Sequence, residues 1–221
     1  MMRTILCTML GLVCLVLGGC VETRFESPLG DHRETCDARW QGVWHDADAR
    51  DTAPPTPAVA ILRVDANCGF TMLDPPSEKG AGTPLLVPVE TVHANGNDYL
   101  VIADRAIKTP FALKPPHAIE PLPQQSFFFA RYRVRGNRID LYPVDSERVA
   151  KLVIDGKLDG TVDQSAHELH VFVRGDRARM LAAVRNNAIF KTSPGLRLVR
   201  FADAAALPQH ALQPSPAGQK K

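Results

Sequence analysis

Three kinds of residue in this chain could do chemistry: cysteine, histidine beside acid, and arginine beside aromatic rings. Of the five cysteines, Cys7 and Cys14 lie in an apolar N-terminal run and Cys20 closes it, which leaves Cys36 and Cys68 in the body of the chain. Histidine meets acid twice. "HELH" at 167–170 has the composition of a metal site, yet a zinc protease needs HExxH on a helix, where an i, i+4 pair shares one face. Here the spacing is i, i+3 in a segment that reads as a strand, so His167 and His170 are expected on opposite faces as ordinary edge histidines. His93 and Asp98 flank "ANGN" and can pair across a turn, but a hydrolase built on them would also need a nucleophile, and none is indicated. GxSxG, P-loop and GxGxxG patterns are missing from the sequence. No catalytic residue, metal ligand or cofactor is assigned.

The arginines are more informative. In "FFFARYRVR" the alternation of a strand puts Phe127, Phe129, Arg131 and Arg133 on one face. Aromatic rings with arginine are enriched where proteins bind partners, so this face is a candidate patch for an envelope protein, a glycan or a lipid phosphate. The competing reading is that the Pro-rich segment 106–125 folds over Phe127 and Phe129 and makes them core.

Cys20 raises a different chemistry. "MMR" supplies one positive charge, and the apolar run that follows is about 14 residues, too short for a bilayer core that needs about 20. That length suits the apolar region of a secretory signal. The run ends in "LGGC": an aliphatic residue, two small residues, then cysteine. The chain therefore resembles a bacterial lipoprotein precursor of the Gram-negative type. The resemblance implies cleavage before Cys20, acyl chains on Cys20, and no cofactor. Val21 stands where an aspartate would retain such a protein in the inner membrane, so the resemblance implies an outer-membrane anchor, with the side it faces left open. Two or more acyl chains anchor stably where one does so only marginally.

Removing residues 1–19 takes away one cation, Arg3, and lowers the formal side-chain charge from +2 to +1. A near-neutral chain without a dense Lys/Arg run is a poor nucleic-acid binder. Cys36 and Cys68 in an oxidising compartment are expected to pair. Closing a loop of about 33 residues would stabilise the fold by roughly 3–4 kcal/mol in the chain-entropy model.

The elements that must position these residues follow from periodicity and turn chemistry. Residues 20–35 are polar and aperiodic and read as a lipidated tether, 36–202 as one domain, and 203–221 as a disordered tail. "WQGVW" at 40–44 reads as a core strand. Strands are expected at 58–66 and 69–74, at 85–93 and 98–104 around Asn95-Gly96, and at 127–135 and 138–144 around Gly136-Asn137. A two-residue turn at Gly136-Asn137 pairs Val134 with Ile139, Tyr132 with Leu141, Arg133 with Asp140 and Arg131 with Tyr142. A helix capped by Asp145 or Ser146 and stopped by Gly156 comes next, then a strand at 168–173. A second helix capped by Asp176 carries Met180, Leu181 and Val184 on one face, and a last strand covers 196–201. The expected fold is α+β: a mostly antiparallel, curved or partly barrel-like sheet of six to seven strands, with two short helices in the C-terminal half. The segments "FARYRVRGNRIDLYPVDSERVAKLVIDGKLDG" and "HVFVRGDRARMLAAVRNNAIFKTSPGLRLVRF" resemble Gram-negative lipoproteins of no assigned function, which bears on the fold alone.

The leading functional expectation is a non-enzymatic, lipid-anchored envelope module. Its rivals are a small-molecule or lipid carrier, which needs an apolar cavity, and a periplasmic enzyme inhibitor.

Overall fold

The computed structural model describes residues 21–30, 33–34, 37–48, 61–73, 85–106, 125–186 and 188–201. Its strands are β1 (Val21–Phe25), β2 (Arg33–Glu34), β3 (Gly42–Asp46), β4 (Ile61–Val64), β5 (Gly69–Leu73), β6 (Leu85–Pro88), β7 (Glu90–Ala94), β8 (Asn97–Ala103), β9 (Phe127–Arg135), β10 (Arg138–Pro143), β11 (Gly160–Gln164), β12 (Leu169–Val173) and β13 (Leu196–Arg200). Among the described residues two complete helices, α1 (Ser146–Ile154) and α2 (Arg177–Asn186), lie between strands.

All thirteen strands belong to one mixed sheet. The expectation of an α+β fold with six to seven mostly antiparallel strands is therefore corrected: the fold is mostly β, the sheet is larger, it contains the parallel pair β1–β12, and it is not a closed barrel. Two causes account for the shortfall. Several strands are only four or five residues long, and segment 85–93, expected as one strand, is divided at Val89 into β6 and β7. β6 pairs with β5 and β7 with β8, so the two halves of one segment serve opposite flanks of the sheet.

Strand β9 is the branch point. One edge pairs with β8 from Phe127 to Tyr132. Its other edge pairs with β10 from Arg135 to Ala130, then meets β1 at the single pair Phe25–Phe127. The hairpin register is the one its sequence dictates: Val134–Ile139, Tyr132–Leu141, Arg133–Asp140 and Arg131–Tyr142 are all partners. Asn95 and Gly96 take φ of 53° and 70°, the left-handed geometry that a tight hairpin turn requires.

Two cores lie on opposite faces of β8 and β9. The first gathers Trp40, Trp44, Phe70, Phe128, Tyr132 and Ile139. Trp40 sits in a 3₁₀ turn rather than a strand, and it receives the Trp44 indole N–H on its carbonyl oxygen at 2.6 Å. The second gathers Phe25, Tyr99, Phe127 and Phe129 under Val149 of α1 and Met180 of α2. Asp145 caps α1, with its side chain accepting from the Arg148 N–H, and Asp176 does the same for α2 toward Arg179. Gly160 is held by packing, since a Cβ there would collide with the Phe172 carbonyl oxygen.

The tether expectation fails over its first residues. Val21–Phe25 is a strand, four of its five residues are buried, and it is paired along its whole length with β12. Phe25 stacks on Phe129 with ring centroids 4.1 Å apart. On the opposite face, Arg24 ion-pairs with Glu22 at 3.1 Å, reaches Asp104 at 3.9 Å, and lies over the Phe128 ring. A buried arginine is tolerable only with such partners. Cys20, Cys36 and residues 107–124 and 202–221 lie outside the described residues.

If β1 is structural rather than a tether, Phe25→Ala should cost about 3–5 kcal/mol, as for other large-to-small core changes. A shift in the urea midpoint measures it, and a change within experimental noise would return residues 21–25 to the role of a linker.

Candidate anion-binding face

Alternation along β9 divides its side chains. Phe128, Ala130 and Tyr132 enter the first core, and Phe127 and Phe129 enter the second. Phe127 and Phe129 are thus core residues rather than part of an exposed patch. Their cover includes Phe25 of β1, more than a hundred residues upstream. Along β9 itself Phe129 is the last member of the second core, and the same face continues as Arg131, half-buried between Tyr99 and Tyr142 of that core, then Arg133 and Arg135, both exposed.

The expected charge match on this face does not form. Arg133 and Asp140 are cross-strand partners, yet the buried Asp140 carboxylate is taken by Arg138, two residues along its own strand, with Nε–Oδ1 at 2.6 Å. Among the described residues, Arg131, Arg133 and Arg135 have no carboxylate partner. Arg131 and Arg133 instead share one ring, their guanidinium carbons 4.8 Å and 5.5 Å from the Tyr142 centroid, and Arg131 also lies 5.8 Å from Phe190. The Arg131 Nε is buried without a hydrogen-bond partner. Burial, and after it the charge of Arg133, lower the Arg131 pKa from its ordinary value, while Tyr99 and Tyr142 act in the opposite sense. Burial raises the Tyr99 hydroxyl. Two like charges stacked on one ring, one with an orphaned donor, form a fork that fits a phosphate or carboxylate oxygen pair. The alternation of "RYRVR" already contained Arg135, which sequence reasoning passed over.

His93 and Asp98 do pair, Nδ1 to Oδ1, across the predicted turn. The dyad is tied into a chain of ionic groups. Arg39 bridges Asp98 at 2.9 Å and Asp37 at 2.7 Å, and the Tyr132 hydroxyl donates to Asp37 at 2.5 Å. Burial alone would raise the Asp37 carboxyl, but hydrogen bonds from Arg39 and Tyr132 hold it below the ordinary carboxylate range. Burial and the Asp37 bond push the Tyr132 hydroxyl far up. Every carboxylate oxygen of Asp37 and Asp98 is engaged by a donor, so the chain fastens the end of the first core.

In "HELH", Ser165–Glu168 form the turn before β12, so of the two histidines His170 lies in a strand and His167 does not. His170 Nδ1 sits 3.1 Å from Glu22 and its Nε2 3.5 Å from Glu168. No group of three metal-ligating side chains occurs among the described residues. Cys68 is buried, with its Sγ 3.6 Å from the carbonyl oxygen of Asp37, the neighbour of Cys36 in sequence. A groove of about 300 Å³ lies at the far end of β12, lined by Lys157, Asp159, Arg174, Arg179, Met180 and Asn186.

No protein-family model matches this chain, and no curated protein or solved structure matches it either.

Two outcomes follow from the charges. Asp37 has a depressed folded-state pKa, so its stabilisation is present above the unfolded carboxylate pKa and is lost as pH falls through the lower folded value. Asp37→Asn should cost about 1–3 kcal/mol at neutral pH and flatten the acid limb of stability below pH ~4; an unchanged acid limb in a pH series of urea melts would refute the assignment. Arg131→Met keeps the stem on Tyr142 and removes a half-buried, unpaired charge. Its denaturation midpoint should be unchanged or raised, whereas a clear loss would make Arg131 a structural residue.

Proposed function

We propose that this protein is a lipid-anchored module of the Gram-negative cell envelope, held in the outer membrane through acyl chains on Cys20, that binds an anionic partner without catalysis. The observation that carries the binding half is the row Arg131, Arg133 and Arg135, three cations on one strand face with no carboxylate among the described residues to neutralise them. A protein gains no stability from that arrangement, whereas an acidic envelope protein, a glycan or a lipid headgroup would find charge and a rigid aromatic platform there. The anchor half is supported by the "LGGC" pattern and by the residue after it. Retention rules assign Val21 to the outer membrane.

Packing argues against the carrier alternative, because the interior of the first core is filled by Trp40, Trp44, Phe70 and Tyr132. The enzyme-inhibitor alternative finds no particular support. A Cys36–Cys68 disulfide belongs to the same proposal: Cys68 is buried beside the residue that follows Cys36. The pair would close the 3₁₀ turn onto the β4–β5 turn.

Membrane fractionation followed by intact-mass and peptide analysis without reductant tests the proposal. The expected result is an outer-membrane protein beginning at Cys20, carrying acyl chains, with Cys36 and Cys68 peptides linked. An unacylated N-terminus elsewhere would overturn the anchor, and two free thiols would overturn the disulfide.

A further inference from the structure

Two turns build the groove at the far end of β12. One leads out of the strand: β12 ends at Val173, Gly175 takes φ of 139°, and Asp176 caps α2. Gly175 also has to be small, since a Cβ there would lie 2.9 Å from the Arg179 Cβ and 3.0 Å from the Met180 Cε. Without one, the first turn of α2 lies close against the strand end. The other turn leaves α1, with the Lys157 and Leu158 N–H groups both donating to the Leu152 carbonyl oxygen. The Arg174 N–H donates to the Asp159 carbonyl oxygen at 2.8 Å and fastens the two turns together. The groove of about 300 Å³ beside them is thus preformed, at the small end of the range for ligand sites.

Its floor is apolar and its rim is cationic. Val173, Met180 and Ala183 are buried beneath it, with Leu158 half-buried at its side. The rim holds Lys157, Arg174 and Arg179 against one acid, Asp159. Two of these cations are already matched. Lys157 lies 3.9 Å from Asp155, and Arg174 lies 3.7 Å from Asp159 while donating to the Thr161 hydroxyl. Arg179 is different. Its exposed guanidinium has no ion pair among the described residues, and the Asp176 side chain accepts its backbone N–H instead.

We propose that this groove binds a small monocarboxylate with a short apolar tail, its carboxylate on Arg179 and its tail over Val173 and Met180. One uncompensated guanidinium matches one negative charge, and its forked donors match the two oxygens of a carboxylate. A dianion would exceed the charge that the rim leaves open, and a bare anion would leave the apolar floor in water. The site is separate from the arginine row of β9 and needs neither that row nor a lipid on Cys20.

Phenylglyoxal footprinting of the full-length protein in a zwitterionic detergent tests this, with each arginine followed by mass spectrometry. The additions are hexanoate, acetate, hexan-1-ol and hexyl phosphate at equal concentration. Arg179 should react severalfold more slowly with hexanoate than with any other addition, while Arg138 and Arg197, outside the groove, react alike throughout. Equal protection by acetate would overturn the apolar half of the site, and equal protection by hexan-1-ol would overturn the role of charge. Protection by hexyl phosphate as strong as by hexanoate would overturn the carboxylate. An Arg179 rate unchanged by hexanoate would overturn the site itself. Line broadening of the hexanoate NMR signals gives an independent Kd. Arg179→Gln should raise that Kd roughly tenfold, the effect of losing one hydrogen bond to a charged group; an unchanged Kd would also overturn the assignment.

Discussion

Strand β9 has to satisfy two cores with one backbone, and the rest of the molecule is arranged around that demand. Its even-numbered side chains, Phe128, Ala130 and Tyr132, close the first core, and Phe127 and Phe129 open the second. Burying both faces of an antiparallel strand needs cover on both sides. The curved sheet through β10, β13, β3, β4 and β5 provides one cover. The layer of β1, β12, α1 and α2 provides the other. The side chains that β9 itself gives to the second core end at Phe129. Where they end, the inward alternation of Tyr132 and Val134 continues, but the outer positions become arginine. The change from Phe129 to Arg131 writes that end into the sequence.

The same constraint explains which parts of the fold can be read without coordinates. Register in the β9–β10 hairpin is local: Gly136-Asn137 fixes the turn, and only one pairing puts Tyr132, Ile139 and Leu141 on one side. Asp145 and Asp176 are likewise local signals, and both caps form. β1 is a different case. "VETRF" alternates Val21, Thr23 and Phe25 with Glu22 and Arg24, and two charges in five residues look like solvated chain. They are buried because each finds the other, with Asp104 and His170 completing the cluster from distant elements. Nothing within the segment announces those partners. The burial of Phe127 and Phe129 was hidden for the same reason.

Asp140 shows how much a pattern of charges leaves undecided. The sequence places it opposite Arg133, and the sheet does so too. Yet a carboxylate accepts the donor with the better approach, and Arg138 wraps back along its own strand to take both oxygens. Cross-strand position is set by register, but ion pairing is set by rotamer and reach. The consequence is an uncompensated Arg133, which joins Arg131 on Tyr142 rather than neutralising the face.

A weak, shallow, basic face is an adequate binding site only where something else holds the protein beside its ligand, and the proposed lipid on Cys20 would do that. A free protein with three arginines on an open strand would lose its ligand at physiological salt, because exposed charges are screened over about 8 Å. A cavity would be needed to hold an anion against that loss, and the groove of about 300 Å³ lies at the opposite end of β12 from Val21. An acyl anchor on Cys20, next in sequence to β1, would change the comparison. The relevant concentration would then be that of anionic groups at the membrane surface rather than that of ligand in solution. The rigidity of β1, buried and paired along its length with β12, is what would convert a lipid on Cys20 from a leash into a mount.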